Sequence, residues 1–149
     1  CWAFATIATS ESAYAITTGQ LLQFSEQNLV DCVKSCYWCN GGWPDTALTY
    51  IIDNQNGQFN SESDYPYTSK DGQCSFQSGK AIGKITKYIN VEKNSEDDLK
   101  EKVAAYGCAA VAVSAGNTPF WPILAEFLMM MNVWANLKQL TMQLARLAM

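Results

Sequence analysis

Cys1-Trp2-Ala3-Phe4-Ala5-Thr6-Ile7-Ala8-Thr9-Ser10-Glu11-Ser12-Ala13-Tyr14-Ala15-Ile16-Thr17-Thr18-Gly19 opens the sequence, and its period decides the first element. Phe4, Ile7, Ala8, Glu11, Tyr14 and Ala15 recur at helical spacing and predict one stripe of an α-helix. Gly19 follows at the left-handed position that ends many helices. Cys1 then stands at the helix N-terminus, where the positive end of the dipole and unpaired N–H groups stabilise a thiolate, the nucleophilic form of cysteine. Spacing alone leaves a second reading open, a small buried hydrophobe, which is what most free cysteines are.

Working outward, Ser25 can cap a second helix through Leu29 and Val30 to Cys32, with Glu26 in the first turn. A loop over 33–43 holds Cys36, Cys39 and the pair Gly41-Gly42. Pro44 then suits the first position of a third helix through Ala47, Leu48, Ile51 and Ile52, stopped by Gly57. Residues 58–79 carry no period and read as an ordered loop in need of a staple, for which Cys74 is available. Ile85 to Val91 alternates as a strand. Ser95 opens a helix with Glu96 to Asp98 in its first turn, ending at Gly107, and Ala109 to Ser114 reads as a short buried strand. Helices first and strands later predict an α+β architecture, a helical lobe leading into a β lobe that is not completed.

The chain has 149 residues, 48% hydrophobic and 16% charged, which places it among globular proteins. Its net charge is −4, with only 10 lysines and arginines, scattered rather than clustered, so no nucleic-acid footprint is present. Six cysteines at irregular separations favour an oxidising compartment, hence a lysosomal or secreted protein. The apolar opening in mid-helix reads as a cut. Composition shifts abruptly at Pro122: all 5 methionines fall between Met129 and Met149. The expected division is therefore residues 1–121 as the folded domain and 122–149 as a tail of different origin. Cys32, Cys36 and Cys39 could form a metal site by count, but zinc sites usually show a second pair of ligands, so none is expected. A redox reading of Cys36-Tyr37-Trp38-Cys39 needs a strand before it and a helix directly after, and neither fits.

Several segments in order resemble the papain-like cysteine proteases, on the cathepsin L-like branch. They are Cys1-Trp2-Ala3-Phe4, Ser25-Glu26-Gln27-Asn28-Leu29-Val30-Asp31-Cys32, Cys39-Asn40-Gly41-Gly42, Asp64-Tyr65-Pro66-Tyr67 and Ala110-Val111-Ala112-Val113. The resemblance covers about residues 1 to 121. It implies the left lobe of that fold plus the first strands of the right lobe, and hydrolysis of peptide bonds without any cofactor. Cys1 would be the nucleophile that forms an acyl-enzyme, its backbone N–H one half of the oxyanion hole. Gly41 and Gly42 would pair with an extended peptide substrate, glycine permitting the close approach. Trp43, Pro44 and Ala112 would wall the pocket for the residue two before the cleaved bond, and the small Ala112 leaves room for large apolar side chains.

The same resemblance implies a Cys32–Cys74 disulfide and pairs Cys39 with a cysteine upstream of the nucleophile, which this chain lacks. Cys36 has no counterpart, and Cys108 stands where proline is usual. Glu11 is expected as a structural carboxylate with a hydrogen-bonding partner. The partner expected is a peptide or protein substrate, with no nucleic acid and no membrane, and a monomer is expected. The chain contains 0 histidines, so the family's base is absent, as are its orienting asparagine and its oxyanion glutamine at matching positions. As written the chain is expected to be inactive. The rival reading is a catalytically dead, protease-like peptide-binding protein.

The tail offers its own test. Read with the last base of each codon joined to the first two of the next, Met129-Met130-Met131-Asn132 can encode only Asp-Asp-Glu. Leu140 to Met149 permits Asp-His-Ala-Val-Gly and then, after one variable residue, Ile-Gly-Tyr, which is the family's histidine segment. Pro122 to Phe127 permits Tyr-Ser-Gly-Gly-Ile at the matching distance from Phe120. The restored histidine would straddle Thr141 and Met142, within the roughly 130 to 150 residues after the nucleophile that the family shows. The expectation is a single-nucleotide frameshift near Trp121.

Overall fold

A computed structural model describes residues 1–114. The chain divides into a unit Cys1–Val111 and a unit Ala112–Met149, of which only residues 112–114 are described. The tail expected from residue 122 lies outside the described residues.

The first unit opens with α1 (Trp2–Thr18), which begins at Cys1 and ends on Gly19 at φ 75°, its N–H donated to the Ala15 carbonyl. The face α1 buries differs from the stripe expected: Trp2, Ala3, Thr6, Ile7 and Ser10 are buried, whereas Phe4 is 46% exposed and Ala8 is exposed. The reason is local. The hydroxyls of Thr6 and Ser10 donate to the carbonyls one turn back, at 2.7 and 2.8 Å, so both residues enter the core with no unpaired hydroxyl proton. A pattern built on hydrophobicity alone cannot see that. Phe4 instead meets Tyr67 edge to face, with centroids 5.0 Å apart.

α2 (Glu26–Cys32) starts where Ser25, in extended conformation, accepts the Asn28 N–H on its hydroxyl at 2.9 Å. α3 (Pro44–Asn54) has proline in its first turn and Asp45 beside it. It ends through Gly57, whose N–H reaches the Ile51 carbonyl at 2.9 Å, as expected for the stop. α1 packs on both α2 and α3. Their apolar faces meet in one core containing Trp2, Ile7, Phe24, Leu29, Val33, Ala47, Ile51 and Phe59. The Phe24 and Phe59 rings stack there with centroids 4.6 Å apart.

The segment expected as loop over 58–79 contains β1 (Gln58–Asn60), and the strand expected at Ile85 to Val91 lies earlier, as β2 (Ala81–Lys84). They pair antiparallel, with Gln58 opposite Lys84, Phe59 opposite Gly83 and Asn60 opposite Ala81, and a bulge between Phe59 and Asn60. Pairing settles the shift. β1 is only three residues long, so it offers partners up to Lys84, and the Ile85 N–H closes the ladder on the Gly57 carbonyl at 2.9 Å. Residues 86–91 alternate in sequence but have no neighbouring strand among the described residues, and Ile89 is 46% exposed. The strand expected at Ala109 to Ser114 is likewise absent: these residues carry no regular structure, and Val111 and Val113 are exposed. No described strand lies beside them to complete a ladder. α4 (Glu96–Tyr106) forms as predicted from Ser95 to Gly107. The order of helices followed by a small two-stranded sheet is the expected α+β one.

Candidate active site

The loop between α2 and α3 is held by its own backbone and by its neighbours. Tyr37 donates its N–H to the Gly41 carbonyl at 2.7 Å, and Asn40 donates to the Tyr37 carbonyl at 2.8 Å, around a single 3-10 turn at Trp38–Asn40. Trp38 sits at φ 49°, an uncommon conformation for a bulky side chain. Two bonds hold it there. The Trp38 carbonyl accepts the Trp2 indole N–H at 2.8 Å, and the following Cys39 N–H is donated to Asp71 Oδ1 at 2.9 Å.

Gly41 follows at φ 140°, a conformation that side chains rarely adopt. Gly42 is confined by packing instead: a Cβ there would lie 2.7 Å from both Cβ and Sγ of Cys36 and 2.8 Å from Cδ2 of Trp2. Glycine is therefore required for two different reasons at adjacent positions. Trp2 directly follows Cys1, so the wall carrying Gly42 and the start of α1 are in van der Waals contact through one residue. Cys1 itself is exposed at the N-cap position of α1, where its carbonyl accepts the Ala5 N–H at 2.9 Å. Trp43, 65% exposed, precedes the half-buried Pro44 that opens α3. Ala112 is exposed and belongs to the other unit.

Cys32 and Cys74 are joined in a disulfide, as expected, with Cα atoms 4.5 Å apart. That bond also removes Cys32 from any metal set with Cys36 and Cys39. Cys1, Cys36, Cys39 and Cys108 are free. Cys36 is buried, its thiol 3.9 Å from the Trp43 carbonyl, and burial above all pushes its pKa up. Cys39 is exposed. Its thiol is raised chiefly by its hydrogen bond to Asp71, whose carboxyl is correspondingly lowered. Glu11 is half-buried and accepts the Phe24 N–H at 2.7 Å, the structural role expected of it.

The site also depends on residues that no sequence pattern singles out. Trp2 is one member of the Cys1–Phe4 segment, yet its indole carries both contacts to the glycine loop. A lone aromatic directly after a candidate nucleophile was the available signal. For Asp71 there was none, since it lies in a polar stretch and reaches the loop only through the fold.

A second network fastens the 61–80 loop to α2. Tyr65 donates its hydroxyl to buried Asp31 at 2.8 Å, Gln27 donates to Asp31 at 2.7 Å and to the Lys70 carbonyl at 2.9 Å, and Thr68 N–H reaches Gln27 at 2.9 Å. The Cys32–Cys74 bond closes the same seam. The Tyr65 hydroxyl, the Gln27 amide and both Asp31 oxygens are all paired here, the condition under which such a network rigidifies a fold.

Comparison with known proteins places this geometry. The sequence profile of the papain family cysteine proteases matches residues 1–122. Digestive cysteine proteinase 1 of Homarus americanus is 38% identical over 123 residues, covering 80% of this chain and 38% of that protein. Zingipain-1 of Zingiber officinale is 42% identical over 117 residues, covering 78% and 52%. Cathepsin S of Bos taurus is 40% identical over 124 residues, covering 81% and 37%. Among solved structures, digestive procathepsin L 3 of the Tenebrio molitor larval midgut superposes with a TM-score of 0.63 at 34% identity, over 69% of this chain and 34% of that one. The chain thus spans between about a third and about half of the length of these relatives. It carries part of the α+β fold of papain-like procathepsins, and it belongs to the papain family cysteine proteases.

Proposed function

We propose that the protein to which this chain belongs is a cysteine endopeptidase, with Cys1 as nucleophile and the Gly41-Gly42 backbone as the substrate-binding edge. One observation carries the reading: Trp2, adjacent to Cys1, contacts the position of Gly42, so a helix-terminal thiol and a bare glycine edge are linked through one residue. A peptide lying along Gly42 would bring its next carbonyl carbon toward the thiolate. Attack would give a tetrahedral oxyanion and then an acyl-enzyme, with the Cys1 backbone N–H as one oxyanion donor. Trp43 and Pro44 would wall the pocket for an apolar residue two before the cleaved bond. The substrate is a peptide or protein, no cofactor takes part, the working unit is a monomer, and the compartment is lysosomal or extracellular.

The sequence as written is proposed to be inactive, because 0 histidines leave the thiolate without its ion-pair partner and the leaving amine without its acid. Residues 122–149 are proposed to be a frameshifted reading of the family's C-terminal part. Two experiments test these statements. The purified chain should not turn over a fluorogenic peptide with phenylalanine two before the cleaved bond, and turnover that vanishes in Cys1→Ala would refute inactivity. In the gene, the Leu140 codon should end in G and the Thr141 codon in C. Any other base removes the Asp-His pair and favours the rival, a catalytically dead peptide-binding protein. Restoring the frame within the whole gene product, which would also supply the asparagine and the glutamine, should yield hydrolysis that requires Cys1.

A further inference from the structure

We infer that Trp2 is a positioning residue that sets the Gly41-Gly42 edge relative to Cys1, with Cys36 as the other half of the same support. The inference rests on the peptidase reading, in which Cys1 and the glycine pair are the two working parts of the site. Two independent contacts converge on the Trp2 side chain, which is only 5% exposed. Its N–H is donated to the Trp38 carbonyl at 2.8 Å, and Cδ2 of its ring lies 2.8 Å from where a Gly42 Cβ would be. Cβ and Sγ of Cys36 lie 2.7 Å from the same point. Gly42 is thus seated between an indole and a thiol.

The loop transmits this seating because it is closed on itself. The Tyr37–Gly41 and Asn40–Tyr37 backbone bonds make residues 37–41 one small ring, so the bond at Trp38 holds Gly41 as well. Trp38 at φ 49° is in a conformation that a bulky residue keeps only where its surroundings over-determine it. The indole bond and the Cys39–Asp71 bond supply that. The Trp2 backbone lies in the first turn of α1, next to Cys1, so a displaced indole changes the offset between thiol and glycine edge. Misplacement of about 1 Å between a nucleophile and its bound partner can cost on the order of 100-fold in rate. Cys36, which has no counterpart in the resemblance, acquires a role: a buried thiol of the size needed to complete the seat.

The test uses the full chain and needs no histidine. At about pH 9, above the ordinary cysteine value of about 8.5, free thiols react as thiolates. Acetyl-Phe-Gly chloromethyl ketone and chloroacetone carry the same reactive carbon. In each, the thiolate sulfur forms a bond to the methylene carbon as the carbon–chlorine bond breaks and chloride leaves. Peptide mapping by mass spectrometry gives, for Cys1 and for exposed Cys39, the ratio of the two alkylation rates. In the native sequence the ratio at Cys1 should exceed that at Cys39. Trp2→Phe should lower it at Cys1 by about tenfold or more, leaving chloroacetone reactivity unchanged. An undiminished ratio in a folded Trp2→Phe protein overturns the inference and leaves the peptidase site standing. Equal ratios at Cys1 and Cys39 in the native sequence overturn the site itself and the inference with it. Should Trp2→Phe fail to fold, benzothienylalanine at position 2, installed by ligating synthetic residues 1–31 to a fragment beginning at Cys32, keeps the ring volume and lacks the N–H. The same two outcomes then decide.

Discussion

α2 and α4 begin alike and end differently. Each follows a serine whose hydroxyl accepts the N–H of the third residue on, Asn28 at 2.9 Å and Asp98 at 3.2 Å, and each has acidic residues in its first turn. In α2, Gln27 to Cys32 are all buried, whereas α4, at 11 residues the longer helix, buries none. Hydrophobicity does not explain the contrast, since Gln27, Asn28 and Asp31 are polar. Caps and dipoles decide that a helix starts, and partners decide whether it is buried. α2 has the Tyr65 hydroxyl, the Lys70 carbonyl and the Cys74 sulfur on its far side.

The largest expected effect removes the covalent partner. Cys32→Ser/Cys74→Ser releases a cross-link that spans 42 residues of sequence, which chain entropy values at about 4 kcal/mol of unfolding free energy. Urea denaturation should show the loss as a lowered midpoint, with α2 and the 61–80 loop losing amide protection together. Retention of the midpoint would mean that the polar seam alone holds α2, and the contrast with α4 would need another cause.

Next in size is the cap comparison itself. Ser25→Ala removes the cap and also the 2.5 Å bond that the Ser25 hydroxyl donates to the Tyr65 carbonyl, leaving a buried acceptor unpaired. Ser95→Ala removes a cap alone. The first should cost about 2 to 3 kcal/mol and the second about 1 kcal/mol or less in urea unfolding. Equal costs would show that burial adds nothing to a cap.

Legibility in the sequence follows the same division. Helix starts at Ser25, Pro44 and Ser95 and stops at Gly19, Gly57 and Gly107 were readable because each signal is local. The two strands were misplaced because β1 and β2 define each other across 20 residues of loop, and no alternation within either reveals its partner. In the site, Cys1 and the glycine pair were legible as a pattern. The contact that joins them, the Trp2 indole on Trp38 and Gly42, depends on a loop whose path is fixed by Asp71, far along the chain.

A smaller effect sharpens the contrast through pH. Glu26 in the first turn of α2 has its pKa raised above the usual 4.5, first by burial and then by the carboxylates of Glu62 and Glu11, although a backbone hydrogen bond opposes this. Glu62 Oε2 is buried with no hydrogen-bond partner, while its Oε1 accepts the Tyr67 N–H at 2.9 Å. When protonated, Glu26 would be placed to donate to Glu62. The folded state thus holds this proton more tightly than the unfolded chain. Its contribution to stability is complete below 4.5 and is lost as pH rises through the folded value. Glu26→Gln, which carries its own N–H donors, should change the urea midpoint little near about pH 4 and raise it near about pH 7. A variant with the pH slope of the native protein would disprove the raised Glu26 pKa as the source of that slope.

The smallest expected effect lies on α4, where the contrast predicts that charge should matter least. The Asp98 carboxylate accepts the Glu92 N–H and contacts Lys102 one turn later, and these two bonds, the Glu92 bond first, hold it below the usual range. Both side chains stay partly open to water on a helix that buries no residue, so screening removes part of what this pair could contribute, and pairs of this spacing on helix surfaces stabilise little. Lys102→Ala also keeps a strong helix former in place. Its urea midpoint should match that of the native chain within measurement scatter, and the match should persist at high salt. A clear destabilisation that disappears with added salt would mean that α4 leans on this ion pair for want of a packed face. Charge would then be standing in on α4 for the partners that α2 finds in Tyr65, Lys70 and Cys74.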